Sequence, residues 1–388
     1  DRFDFEKIHR FSMHIMSKLL IVLGPNASLS FITLRYHCSS SRSVWSRSFS
    51  VAEKIIGMEG GVADGDDDSE TLVSPGQISY PKALSPSSIM EFQKCPQSFL
   101  FQYLLGMKQP TNPTLVKGTM CHSALEQIFD LEPKDRTLLN LENLFRKEWS
   151  KQKVETEEYQ NLFWSEELKE WDINAERTWG LSGLNLLGNY YALEDPRKIT
   201  QPNPFRRESW VYTQLPARYS SVSASRPTNF VVRGIIDRID MIRHPVDKQV
   251  CLRLVDYKSG KTPDLKYSAK MNAKIAEESF FQLKMYAFMW RETKNPSANM
   301  DIRGLRLLHL TSQDGSAKYL DYDLGSPIER TQILDDVREN IINTWEQICD
   351  LVDTQDPLQF HGCNRSFCWC HTCRPRFIPG SVWSPTEN

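Results

Sequence analysis

Apolar residues along the chain first recur at helical spacing, then alternate, then return to helical spacing. Ser85-Pro86-Ser87-Ser88, followed by Ile89, Met90 and Phe92, supplies a capping hydroxyl, a proline in the first turn and an apolar face, which together predict a helix start. Cys95-Pro96 interrupts that helix, and Phe99, Tyr103 and Leu104 continue its face. Gly118 is expected to precede a second helix, whose spacing of His122, Leu125, Glu126 and Phe129 puts His122 in roughly the first turn. From Asp135 to Leu193 the pattern reads as helical throughout, and Trp149, Trp164, Trp171 and Trp179 predict a packed helical subdomain over residues 132–200.

The period then changes to two. Glu208 to Leu215, Phe230 to Ile242 and Val250 to Tyr257 alternate apolar and polar residues between turn-rich segments, and so predict three consecutive strands. A helix follows from about Ala273 to Arg291, then strands near Leu305 to Leu310 and Lys318 to Tyr322, then a long helix from about Ile328 to Leu351. A meander of strands between helical segments is the pattern of a mixed α/β domain.

The N-terminal segment has a different composition. Between Lys7 and Ala52 there is no Asp or Glu, while Lys18, Arg35, Arg42 and Arg47 are scattered among serines. That is the composition of an organelle transit peptide, so residues 1–52 are expected to be a leader for a chloroplast or mitochondrion, the chloroplast slightly favoured, with a disordered tail as the alternative. The Gly and Asp-rich stretch within 53–77 reads as a disordered acidic linker, and the folded part is expected to begin near Ile78. Setting the leader aside leaves 40 basic against 46 acidic side chains, a balance that weighs mildly against a nucleic-acid partner unless a local basic groove exists. The longest apolar run near the start, Leu19 to Leu23, is far short of the roughly 18 to 20 residues a membrane span needs, so no membrane contact is expected.

The candidate chemistry lies in two of the strands. In Leu254-Val255-Asp256-Tyr257-Lys258, residues two apart share a face, so Asp256 and Lys258 point the same way, and Asp237 on the preceding strand can lie across from them. Carboxylates on rigid strands form a cradle for a hard divalent cation, and a lysine beside them can orient a water or stabilise charge developing on a phosphate. Taken singly, an Asp at a strand end is usually a turn residue and His122 a core histidine; their order and spacing are what make them specific.

In that order the sequence resembles the PD-(D/E)XK nuclease superfamily, and within it the RecB-like branch that includes the nuclease domain of AddB-type helicase-nucleases. The resemblance runs from about Leu84 to Arg374 and is carried by Ser85 through Cys95-Pro96 and Phe99, Gly118 with His122, Gly234 through Asp240, Asp256-Tyr257-Lys258, and Gln282 with Tyr286. It implies a restriction-endonuclease-like core, a mixed central sheet flanked by helices, over residues 78–374, with a helical insertion and a Cys-rich C-terminal tail ending in residues 375–388. It also implies His122, Asp237, Asp256 and the Tyr257 carbonyl as ligands of Mg²⁺ or Mn²⁺ and Lys258 as the catalytic lysine. Gln282 and Tyr286 would position Lys258 and the DNA backbone from one helix face. Glu208 falls where many members carry an acid; it reads as supporting the ligands, with a plain surface glutamate as the alternative. Asp240 should point away from Asp237 and pair at the surface with Arg238 or Arg243. The implied reaction is metal-assisted phosphodiester hydrolysis on single-stranded DNA or DNA ends, most simply by an exonuclease in organelle DNA repair, recombination or degradation. A nuclease acting on RNA, or an inactive nucleic-acid-binding or iron–sulfur scaffold of the same fold, is the alternative. The sequence contains no G-x-x-x-x-G-K loop, so any helicase partner would be a separate chain.

Four of the nine cysteines crowd between Cys363 and Cys373. In several RecB-like nucleases a four-iron four-sulfur cluster joins the Cys-Pro cysteine to three near the C terminus. The resemblance therefore implies Cys95, Cys368, Cys370 and Cys373 as ligands, with the choice among Cys363, Cys368 and Cys370 open because the C-x4-C-x-C-x2-C spacing departs from the usual tail. A zinc site built from the tail alone is the rival. Cys121, Cys251 and Cys349 are expected in the core, and Cys38 in the leader.

Overall fold

The computed structural model describes residues 78–107, 111–198, 204–219, 226–293, 300–365, 368 and 370. The expected leader and acidic linker, Cys373 and the 375–388 tail lie outside these residues. Helix α1 (Pro86–Lys94) begins with the Ser85 hydroxyl accepting from the Ser88 N–H and the Ser88 side chain returning a bond to the Ser85 backbone, a reciprocal cap. A short α2 (Pro96–Phe99) follows after Cys95, then α3 (Pro113–Gln127), α4 (Leu138–Glu155) and α5 (Ile173–Leu193). A two-stranded hairpin, β1 (Trp164–Ser165) and β2 (Glu170–Trp171), separates α4 from α5. The main sheet is β3 (Pro204–Pro216), β4 (Asn229–Arg243), β5 (Val250–Lys261), β6 (Ile302–Thr311) and β7 (Lys318–Asp323), joined in that order. β3, β4 and β5 form an antiparallel meander; α6 (Ala269–Glu292) is the crossover to β6, which runs parallel to β5, and β7 returns antiparallel before α7 (Pro327–Asp353).

Strand alternation gives the sheet two apolar faces, each with its own core. Phe230, Val232, Ile236, Leu252, Leu254, Leu305 and Leu307 pack with residues of α1, α6 and α7. Trp345 of α7 stacks face to face on Phe230 with ring centroids 4.4 Å apart. Val255, Tyr257, Leu308 and Leu310 on the opposite face pack with α3, α4 and α5. No helix among the described residues is long and apolar enough to cross a membrane.

Three expectations need correction. Gly118 does not precede the second helix but lies inside it, because Asn112, whose side chain accepts from the Thr114 and Leu115 N–H groups, caps the helix ahead of Pro113. His122 is accordingly in the third turn. The segment 135–193 is not helical throughout. Two of its tryptophans serve the hairpin, and the indole N–H groups of Trp149 and Trp171 both donate to Glu176, at 2.7 Å and 2.6 Å. Asp240 is fully buried rather than at the surface: Arg238 and Arg253 each donate to it, at 2.8 Å. Burial alone would push its carboxyl up; the two guanidinium groups outweigh that and hold it below the usual carboxylate range.

α5 crosses α4 closely because Gly183 presents no side chain: a Cβ there would meet Phe145 Cζ at 2.5 Å. Gly183→Ala should destabilise the domain by about 1–3 kcal/mol in chemical denaturation, and Phe145→Leu in the same chain should recover part of the loss.

Candidate active site

The site begins where the sheet forks. β4 and β5 pair from Arg243–Val250 to Arg238–Val255, and the paired register stops there. β4 continues outward bonded to β3 as far as Asn229, and β5 continues bonded to β6 as far as Lys261. Asp237 and Asp256 are the first residues beyond the last pair. The Tyr257 N–H, which would otherwise need a strand partner, donates to Asp237 Oδ2 at 2.9 Å. The N–H and C=O of one strand residue share a side, so the Tyr257 carbonyl faces the same opening.

Helix α3 brings His122 to this opening, its Nδ1 3.4 Å from Asp237 Oδ2 and its ring edge-on to Tyr257 at 5.8 Å. The helix backbone approaches β5 closely at Gly118, where a Cβ would stand 3.0 Å from Ser259 Oγ. From the other side, Lys258 Nζ lies 2.7 Å from Asp256 Oδ2 and donates to Gln282 Oε1 at 2.9 Å. Gln282 Nε2 in turn donates to the Tyr286 hydroxyl at 3.3 Å, and Tyr286 packs on the bare backbone of Gly234, where a Cβ would meet its ring at 2.6 Å. Two glycines thus let a helix on each side of the sheet reach the fork.

Glu208 joins from β3. Its neighbours Arg207 and Ser209 pair with Arg238 and Ile236, while Glu208 itself takes φ 41°, in the left-handed region that non-glycine residues seldom occupy. Its carboxyl is pushed up to about 8, first by burial and then by the charges of Asp237 and Glu126. Burial and the Asp256 charge push Asp237 up as well, against the pull of His122, the Tyr257 N–H and Lys258. Asp256 Oδ2 is buried, and its close partner is the Lys258 ammonium. Three carboxylates that repel one another in a desolvated place, with one ammonium among them, are a ligand set short of positive charge, which a divalent cation supplies. The ligand atoms of His122, Asp237 and Asp256 are not, however, drawn into one tight group: among the described residues the four cysteines form such a group.

Two residues here were not singled out for chemistry in the sequence. Glu126 lies one turn beyond His122 on the same helix face, a spacing that would have flagged it. His309 stands beside Lys258 in the β5–β6 register, with Nδ1 3.1 Å from the Gly260 carbonyl, and burial pulls its pKa down. Its place depends on a long-range pairing that no local spacing reveals.

The second cluster closes the chain on itself. After α7 the chain passes α2, with the Gln97 N–H donating to the His361 carbonyl and Arg365 to the Lys94 carbonyl. The sulfurs of Cys95, Cys363, Cys368 and Cys370 all lie within 4.8 Å of one another. Three of these were expected, Cys363 is the fourth, and Cys373 lies outside the described residues. Cys121, Cys251 and Cys349 are buried in the cores. The Cys95 sulfur accepts from the N–H groups of Ser98 and Cys363, and that of Cys363 from Arg365. Burial would raise the Cys363 thiol, yet the Arg365 contacts bring it down to about 6; burial and neighbouring sulfurs push Cys370 up. Four free thiols gathered together, with N–H donors aimed at the sulfurs of Cys95 and Cys363, suit a soft metal centre.

The raised Glu208 carboxyl has a consequence for stability. Its folded value exceeds its unfolded one, so between about pH 4.5 and about 8 the folded chain holds a proton that the unfolded chain has lost. Metal-free protein should therefore lose stability as pH rises through that window, and Glu208→Gln should flatten the profile in thermal melts taken across it. Mn²⁺ affinity should rise over the same interval, since cation and proton compete for the same oxygens.

No curated protein matches the chain closely enough to count as a relative. A family model described as the PD-(D/E)XK nuclease superfamily matches residues 83–377, a span that takes in both clusters and every strand of the main sheet. With Asp237, Asp256 and Lys258 meeting at the fork of that sheet, the chain belongs to the PD-(D/E)XK nuclease superfamily.

Proposed function

We propose that this chain is a divalent-metal-dependent deoxyribonuclease acting on single strands or ends, most simply as an exonuclease. The observation that carries the reading is the fork itself, where His122, Asp237, Asp256 and Lys258 come together from a helix and two strands. His122, Asp237, Asp256 and the Tyr257 carbonyl would hold Mg²⁺ or Mn²⁺, with Glu208 beside them. Such an ion, when bound, polarises a phosphate oxygen and lowers the pKa of a water. The protein's own part is positional. Asp237 is fixed by the Tyr257 N–H, so one carboxylate oxygen stays directed into the opening. Lys258 is held between Asp256 and Gln282, which keeps its ammonium where charge on a phosphate would build up. Tyr286 supports Gln282 from one turn further along α6.

The composition of residues 1–52 supports work in a chloroplast or mitochondrion, in repair, recombination or degradation of organelle DNA. The four cysteines would hold a structural four-iron four-sulfur cluster that fastens the tail to the start of the nuclease core. One observation favours zinc as a second reading. Four Zn–S bonds of about 2.3 Å set sulfurs about 3.8 Å apart, which the present spacing accommodates, whereas a four-iron cube spreads its cysteine sulfurs wider.

End-labelled single- and double-stranded DNA incubated with purified protein should be cut with Mg²⁺ and left intact with EDTA. Lys258→Ala should lower the rate by about 10²-fold or more without changing the melting temperature appreciably. Cleavage surviving in EDTA would refute the metal-dependent reading. For the cysteines, iron and acid-labile sulfide with broad visible absorbance would mark the cluster, and stoichiometric zinc without colour the alternative. Cys95→Ala should lose the metal and destabilise the fold in either case.

A further inference from the structure

The outer β3–β4 ribbon carries a face that the helices do not cover. From Ser209 to Leu215 the odd-numbered residues of β3 turn toward α6 and α7, where Val211 and Leu215 join the core, so Trp210 and Tyr212 face the other way. On that side α3, α4 and α5 pack over β5 and β6, and Trp210 and Tyr212 are left 61% and 56% exposed. Among the described residues neither side chain is engaged by a ring contact, a hydrogen bond or an ion pair. Their register partners on β4 share the face: Ile235 stands opposite Trp210, and Arg233 opposite Tyr212. Arg233 is exposed, and no ion pair occupies its guanidinium among the described residues.

This face leads straight to the fork. Glu208 is the residue before Ser209 on β3, and Asp237 lies two beyond Ile235 on β4, so the platform and the acidic cluster are successive positions on one ribbon. Same-face residues on a strand are about 6.8 Å apart, a spacing that one nucleotide step of an extended, unstacked strand bridges. Exposed large aromatics at such a spacing, with a cation beside them, are what a nucleic-acid groove uses when it holds bases by stacking and backbone by charge. A duplex keeps its base faces stacked internally and offers none to such a surface.

We infer that Trp210 and Tyr212, with Arg233, form a stacking platform for single-stranded nucleic acid that feeds the strand into the Asp237–Asp256–Lys258 centre. The inference rests on the nuclease reading and adds to it the feature that selects single strands, namely exposed bases. Trp210 and Tyr212 are positioning residues: they hold the nucleotides next to the scissile phosphate and do not touch that phosphate.

The test uses the full chain carrying Lys258→Ala, so that the strand stays intact, and a short fluorescent thymidine oligonucleotide beside the same backbone without bases. Trp210→Ala with Tyr212→Ala should weaken binding of the thymidine strand by tenfold or more, given that each lost stack is worth about 5- to 150-fold. Binding of the abasic strand should not move. Phenylalanine at both positions should restore most of the affinity, and leucine should not, which separates stacking from buried area. In the chain with Lys258 intact, the same alanine pair should raise KM for the thymidine strand with little change in kcat. Equal losses on both strands, no loss on either, or full rescue by leucine would each overturn the platform. Metal-dependent cleavage by the unsubstituted chain is read in parallel: its absence sinks the nuclease reading, whereas the base-dependent affinity ratio judges the platform on its own.

Discussion

The hydrogen bond from the Tyr257 N–H to the Asp237 carboxylate is the constraint around which the site is organised. Where β4 and β5 separate, each strand would leave a row of backbone groups without partners, and a buried N–H without an acceptor costs on the order of 1–3 kcal/mol. Asp237 supplies the acceptor from its side chain. The bond closes the end of the fork, orients the carboxylate, and turns the Tyr257 carbonyl toward the same opening. A strand separation that would otherwise be a defect becomes an opening lined by polar groups, next to the exposed ribbon of β3 and β4.

Strain and charge meet at this opening. Glu208 adopts a left-handed backbone, Asp237 and Glu208 repel one another in a desolvated place, and the buried Asp256 has the Lys258 ammonium as its close counter-charge. A few residues away the same sheet treats charge in the opposite way. Asp240 is matched by Arg238 and Arg253, and Glu194 by the far side of Arg238, so that every carboxylate there has a guanidinium. The contrast between a saturated network and an unsaturated one, three residues apart on β4, separates the acids that support the fold from those left over for a cation.

The two clusters also divide the mechanical work. Cys95 lies at the break between α1 and α2, and its three partners come from the segment after α7, so a metal held there would tie the beginning of the nuclease core to its end. α1 packs against the same core as Tyr286 and Ile236, which links this tether to the elements that hold Lys258 and Gly234.

The order of the sheet strands was legible because alternation is a local pattern, and a D-x-K triplet puts Asp256 and Lys258 on one strand face; Gln282 and Tyr286 were named only through the family resemblance, since a spacing of four on a helix does not by itself single out a residue. The same locality explains what was misread. Gly118 marks a close approach to Ser259, not a helix start, and the tryptophans between Asp135 and Leu193 belong partly to a hairpin, both matters of which surfaces meet. Asp240 was expected at the surface because strand alternation tells only which side a residue faces, not what covers that side. Glu208's unusual backbone, His309's place beside Lys258 and Cys363's company with Cys95 depend on residues between 29 and 268 positions away, or on a register that only the assembled sheet sets. The sequence by itself determined the kinds of groups and their order, since those follow from short-range periodicity; tertiary structure alone decided which charges were neutralised and which were left to attract a cation, since that depends on contacts between distant segments.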